Sequence, residues 1–173
     1  GLEMWLHCSR ALAIFAPQGI KMESAAPGEM QWDEHGGTFV LRVGGLEVTP
    51  MAEPAPASGI WLEVALPLPE SLLPAIREFA GAHRLPLTPL SPPPAELTET
   101  PILAAAHVPG QNLFIYCEEP QLHLRALDPH TLEIAVTGAF KARRLPSREP
   151  DVVVHLAPAA MARLLSHVLA LSG

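Results

Sequence analysis

The stretch from Gly59 to Arg84 constrains the fold more than any other part of the chain, because its hydrophobic period changes halfway along. Ile60, Leu62, Val64 and Leu66 alternate with Trp61, Glu63 and Ala65, the two-residue period of a strand with one buried face. From Leu72 the apolar residues fall at Leu72, Leu73, Ile76, Phe79 and Ala80, which is the helical period. Between them lies the switch, Pro67 to Ser71. Ser71 is placed to cap the helix, and Pro74 then falls in the first turn, where its missing N–H has no intrahelical partner to lose. The expected unit is strand, tight loop and helix, with the helix over about 71–82.

The end of the chain shows the same pattern. Asp151-Val-Val-Val-His-Leu is a β-branched run, Ala157-Pro158 breaks it, and Met161, Leu164, Leu165, Val168 and Leu169 follow a helical period over about 158–171. Aligning Pro158 with Pro69 sets Met161 against Leu72, Leu165 against Ile76 and Val168 against Phe79. Two readings fit: an internal duplication with halves of about 30–84 and 111–173, or the shape of any strand-to-helix unit. The passage Val64-Ala-Leu-Pro-Leu-Pro-Glu-Ser-Leu-Leu resembles the strand-to-helix opening of small duplicated phosphoesterases of the two-histidine type. That resemblance implies two H-x-[ST] strands, one imidazole as base and one as acid. Only His7-Cys-Ser has the pattern; His107-Val-Pro and His155-Leu-Ala lack the hydroxyl, so no site carries over.

With 173 residues and 49% hydrophobic content, the chain suffices for one domain with its own core. Its 20 prolines and 12 glycines imply short elements and many turns. A net charge of −7 disfavours nucleic acid, whose phosphates need a positive field. No apolar run reaches the length of a membrane-spanning helix, and Met4–Phe15, preceded by Glu3 and interrupted by Arg10, lacks the basic start of a secretion signal. The expectation is a cytoplasmic protein in which Cys8 and Cys117 are reduced and buried. Nine arginines against two lysines, with abundant Ala, Pro and Leu, match GC-rich bacterial coding.

Residues 4–16 fit a helical stripe of Trp5, Cys8, Leu12 and Phe15, or a strand with Leu6, Cys8, Leu12 and Ile14 on one face; the strand is preferred. Ala16–Glu29 reads as loop. Phe39, Leu41 and Val43, then Gly44-Gly45, then Leu46 and Val48 read as a hairpin turning at the glycine pair. Prolines at 86, 89 and 92 make 85–96 an extended, stiff segment, either a PxxP ligand or, preferably, a connector. Pro101–Val108 is apolar enough for a strand. Leu113–Cys117, Leu122–Leu127 and Thr131–Val136 read as three short antiparallel strands separated by Glu118-Glu119-Pro120 and Asp128-Pro129-His130, and Ala139–Glu149 as a basic loop. The fold class is α+β: a mainly antiparallel sheet of about 7–9 short strands with two helices on one side.

Eight histidines invite a metal or catalytic reading, but no H-x-x-x-H, H-E-x-x-H or C-x-x-C spacing occurs, nor a G-x-S-x-G elbow. No metal, cofactor or catalytic residue is assigned. His107 and His155 each end an apolar run, so a pocket at the strand ends is one reading; two histidines at sheet margins is the plainer one. Glu118-Glu119 reads as a solvated turn. Lys141, Arg143, Arg144 and Arg148 place four of the eleven cations in eight residues, a patch suited to an acidic protein surface. Trp61 faces away from Leu62 and Val64, toward a second core layer or a partner. In element order the chain is similar to the small acidic chaperones of type III secretion. The resulting expectation is a non-catalytic protein–protein interaction or chaperone-like module, homo-oligomeric, with an unidentified protein partner. The alternative is a small-molecule-binding protein or hydrolase with its site near His107 and His155.

Overall fold

Alternation of apolar and polar residues through most of the chain generates strands, and in the computed structural model these form one antiparallel sheet. The structure describes residues 4–15, 19–50, 62–91, 96–99, 103–108, 113–144 and 151–172. The elements are β1 (Met4–Cys8), β2 (Arg10–Phe15), β3 (Ile20–His35), β4 (Thr38–Pro50), β5 (Leu62–Pro67), α1 (Leu72–Ala82), β6 (Glu96–Glu99), β7 (Leu103–Val108), β8 (Leu113–Asp128), β9 (Thr131–Arg144), β10 (Asp151–Leu156) and α2 (Pro158–Ser172). The hydrogen-bonded order is β1-β3-β2-β5-β9-β8-β7-β10-β4, with β6 also on β8. Because β4 pairs with β3 as well, the path returns to its start and the sheet closes on itself. Among the described helices none is long and apolar enough to cross a membrane.

The pairing pattern repeats. β1 and β2 lie end to end along one edge of β3, as β6 and β7 do along one edge of β8. Each of the 16-residue strands β3 and β8 then turns into a long partner, β4 or β9. β5 joins β2 of its own half to β9 of the other, and β10 joins β7 to β4 in the same way. Each half then ends in a helix. The repeat thus runs over 4–82 and 96–172, taking in strands N-terminal to those that the strand-to-helix units suggest.

Turn positions differ from the sequence reading in three places. The first hairpin turns at Gly36-Gly37, whose φ values of 59° and 83° supply both positive-φ positions, and His35 pairs with Thr38. Gly44-Gly45 lies inside β4, where the register shifts against β3 and Gly45 takes φ 72°. With the turn at 36–37, Met30 and Trp32 stand opposite Val43 and Leu41, and all four are buried. Ile20–Glu29, read as loop, therefore belongs to β3. Likewise Glu118-Glu119-Pro120 is a bulge inside β8, with Glu119 at φ 51°, and not a turn. Finally, β9 runs on to Arg144, so Ala139–Arg144 is strand where a loop was expected. At the N-terminus the strand reading holds, but Ser9 interrupts it and donates its N–H to Ala65 O at 2.9 Å. The break changes the parity: Cys8 shares the core with Ala11 and Ala13, while Leu12 and Ile14 are buried on the other face.

Both helices form where their period and prolines place them. Ser71 does not cap α1 with its side chain; its backbone is already helical at φ −62° and ψ −16°. A tight turn replaces the cap, with Leu72 and Leu73 N–H donating to Pro69 and Glu70 carbonyls at 2.9 and 3.2 Å. At the other end Arg84 adopts φ 54°, and the Arg84 and Leu85 N–H groups donate to Gly81 and Ala80 carbonyls, a Schellman closure built without glycine. Leu72, Ile76, Phe79 and Ala80 form the buried stripe of α1; Phe79 meets Phe39 of β4 edge-on at 5.7 Å between ring centroids. α2 is enclosed on more sides, with Ala160–Ala162 and Leu164–Val168 all buried. These residues join Trp32, Leu41, Leu62, Val64, Ile115, Leu122, Ile134 and Val154 in one apolar cluster. Cys8 and Cys117 are buried in it and form no disulfide.

Candidate interaction face

In a strand with one buried face the other face collects the polar and half-buried residues, and cross-strand partners share that face. Val152, Val154 and Leu156 of β10 are buried, so Val153 and His155 point outward. Ile115 and Cys117 are buried, so Phe114 and Tyr116 point outward, both half-buried, with ring centroids 6.0 Å apart and planes at 23°. The register sets Lys141 beside Tyr116, Tyr116 beside Ala105, Ala105 beside Val153, Val153 beside Arg42, and Arg42 beside Gln31. One row thus crosses β9, β8, β7, β10, β4 and β3, with a cation at Lys141 and another at Arg42. The adjacent row on one side holds Arg143, Phe114, His107 and Asp151; on the other side stand Leu103, His155, Val40 and Asp33.

Four of the residues singled out from the sequence, His107, His155, Lys141 and Arg143, therefore occupy neighbouring register positions. His107 and His155 are not register partners. His107 stands opposite Asp151, four residues before His155, which is about 13 Å of strand. His155 Nδ1 lies 3.2 Å from Thr38 Oγ1, and burial, then His35 and Arg42, lower its pKa, so the ring is neutral at pH 7. Lys141 Nζ lies 3.1 Å from a Glu118 carboxylate oxygen, and that bond and charge raise its pKa. Arg144 stands opposite Leu113, one step out of the Lys141 and Arg143 alternation. Trp61 and Arg148 lie outside the described residues.

The aromatic pair was missed in the sequence because Leu113–Cys117 is apolar on both faces, and period alone does not say which face is wet. Arg42 alternates with Leu41 and Val43, which says only that it lies on the opposite face of its strand from them. Among the described residues no group of three His, Cys, Asp or Glu side chains could hold a metal ion. The Cys117 thiol is pushed up to about 11 by burial and then by Glu118, which leaves it protonated and a poor nucleophile. No family model, curated protein or solved structure matches this chain.

Proposed function

We propose that the chain is a non-catalytic protein–protein interaction module that presents the outer sheet face centred on Tyr116 to another protein. The observation that carries this reading is the half-buried Phe114 and Tyr116 pair, set in register between Lys141 and Arg42. Aromatic residues and arginine are the side chains that most often anchor interfaces: a ring displaces much water at little entropic cost, and a guanidinium makes planar, directional hydrogen bonds. The cations suit an acidic partner surface. A second copy of the chain and a separate protein are distinguished by sedimentation before any capture experiment.

The test is capture of partners on tagged protein from cells of its source, comparing wild type with Tyr116→Ala and Arg42→Glu after circular dichroism has shown both variants folded. A protein enriched in near-stoichiometric yield by wild type and lost from both variants supports the reading. Equal retention by both variants removes this face from consideration, and capture of nothing with a monomeric wild type removes the interaction module itself.

A further inference from the structure

The connector after α1 creates a second feature that the interaction reading does not use. Leu85–Ser91 crosses α2, with Leu85 buried and Leu87 and Leu90 half-buried. Its prolines hold it extended, so it bridges the helices as a strap without filling the space beside them. On one side of the strap lies a cleft of about 430 Å³ lined by Arg77 of α1, Leu87, Thr88 and Pro89 of the strap, and Ser166, Leu169 and Ala170 of α2. On the other side a cleft of about 360 Å³ shares Thr88 and Ser166 with the first.

We infer that the first cleft binds a small carboxylic acid with an apolar tail, the carboxylate on Arg77 and the tail along Leu87 and Leu169. The polar groups of the lining are uncommitted. Arg10, Lys21, Arg125 and Lys141 each face a carboxylate, whereas Arg77 has no ion pair or hydrogen bond among the described residues. Nor do the hydroxyls of Ser166, itself only 5% exposed, and Thr88 have a partner there. A guanidinium and two hydroxyls without partners among the described residues, gathered on one cleft wall, suit an anion. The remaining wall is apolar, and the volume lies within the roughly 300–1,000 Å³ range of small-molecule sites. A carboxylate bidentate on Arg77 leaves its tail directed over Leu169 and Ala170. An uncharged apolar ligand would gain nothing from the guanidinium, which water solvates, and a short carboxylate would leave the apolar wall wet.

Titration calorimetry of the full chain with hexanoate, octanoate, decanoate and 1-octanol, all below micelle-forming concentrations, tests this. Binding is expected at one site, tightening about fourfold per added methylene. Arg77→Gln, at an exposed position, weakens octanoate by at least about tenfold and leaves 1-octanol unchanged. Ala170→Phe fills the cleft and abolishes binding of both. The inference is overturned by absence of saturable carboxylate binding, by equal affinity for octanoate and 1-octanol in the wild type, or by octanoate affinity that survives either substitution.

Discussion

The two halves of the molecule share one strand plan yet are stabilised differently, and the glycines inside β4 and β9 show how. Gly45 and Gly138 are each the eighth residue of their strand, beside the bulge of the facing strand. At Gly45 the requirement is conformational: φ is 72°, and a Cβ would meet nothing within 4 Å. At Gly138 it is conformational and spatial at once: φ is 156°, and a Cβ would come within 2.5 Å of Cys117 Sγ and 3.3 Å of the Glu118 carbonyl oxygen. The same topological place therefore demands glycine by conformation alone in one half, and by conformation and close packing together in the other. The helices differ as well: α1 buries one stripe, whereas α2 is enclosed almost all round.

That comparison is broken or sharpened by substitutions at matched positions. The largest effect is expected at Leu165 of α2, the counterpart of Ile76 of α1, both fully buried. Leu165→Ala and Ile76→Ala should each cost about 2–5 kcal/mol in urea unfolding, with Leu165→Ala the larger because surroundings that pack on more sides collapse less into the cavity. A larger loss at Ile76 would reverse the ranking of the helices. Next, Gly138→Ala should cost about 1–3 kcal/mol by overpacking against Cys117 added to strain at its φ of 156°, and Gly45→Ala about 1–2 kcal/mol by strain at positive φ alone. Truncating the obstruction separates packing from conformation: Cys117→Ala should relieve part of the cost of Gly138→Ala and leave Gly45→Ala unchanged in a double-mutant cycle.

A pH dependence is expected from His167 of α2. His167 is fully buried with neither ring nitrogen bonded among the described residues, and burial lowers its pKa. Above about pH 6.5 the ring is neutral in folded and unfolded chains and stability is unaffected. As pH falls below that value the unfolded chain takes up a proton that the folded one resists, so stability declines by at most about 1.4 kcal/mol per pH unit until the lowered pKa is reached. His155 acts in the same direction. His167→Leu should flatten the slope of unfolding free energy between about pH 6.5 and 5. The smallest effect is at the end of α1, where Arg84→Gly should raise stability by about 1 kcal/mol by removing the left-handed strain, read as an increased denaturation midpoint.

Legibility followed the range of the interactions concerned. α1 and α2 were readable because helical period is a local signal, and Leu122, Leu124, Leu132, Ile134 and Val136, all fully buried, were readable from strict alternation. The first hairpin was misplaced because two Gly-Gly pairs compete within ten residues, and only burial of Met30 and Trp32 against Val43 and Leu41 selects Gly36-Gly37. The basic stretch at 141–144 was read as loop because its charges mask a strand whose partner, Leu113–Tyr116, lies some distance back along the chain. Of the candidate face, Lys141, Arg143, His107 and His155 were named as residues, but their adjacency was not legible. Phe114, Tyr116 and Arg42 entered only through the register.

By itself the sequence determined the element types: the two helices, the alternating strands, the buried thiols and the acidic surface, each set by side chains within a few residues of one another. The tertiary structure alone decided which strands are neighbours. Pairing of β5 with β9, of β10 with β4 and of β3 with β4 joins segments far apart in the chain through backbone hydrogen bonds, and these are the same for every residue type. Choice among such pairings falls to the joint burial of many apolar faces, and that quantity exists only once the sheet has closed.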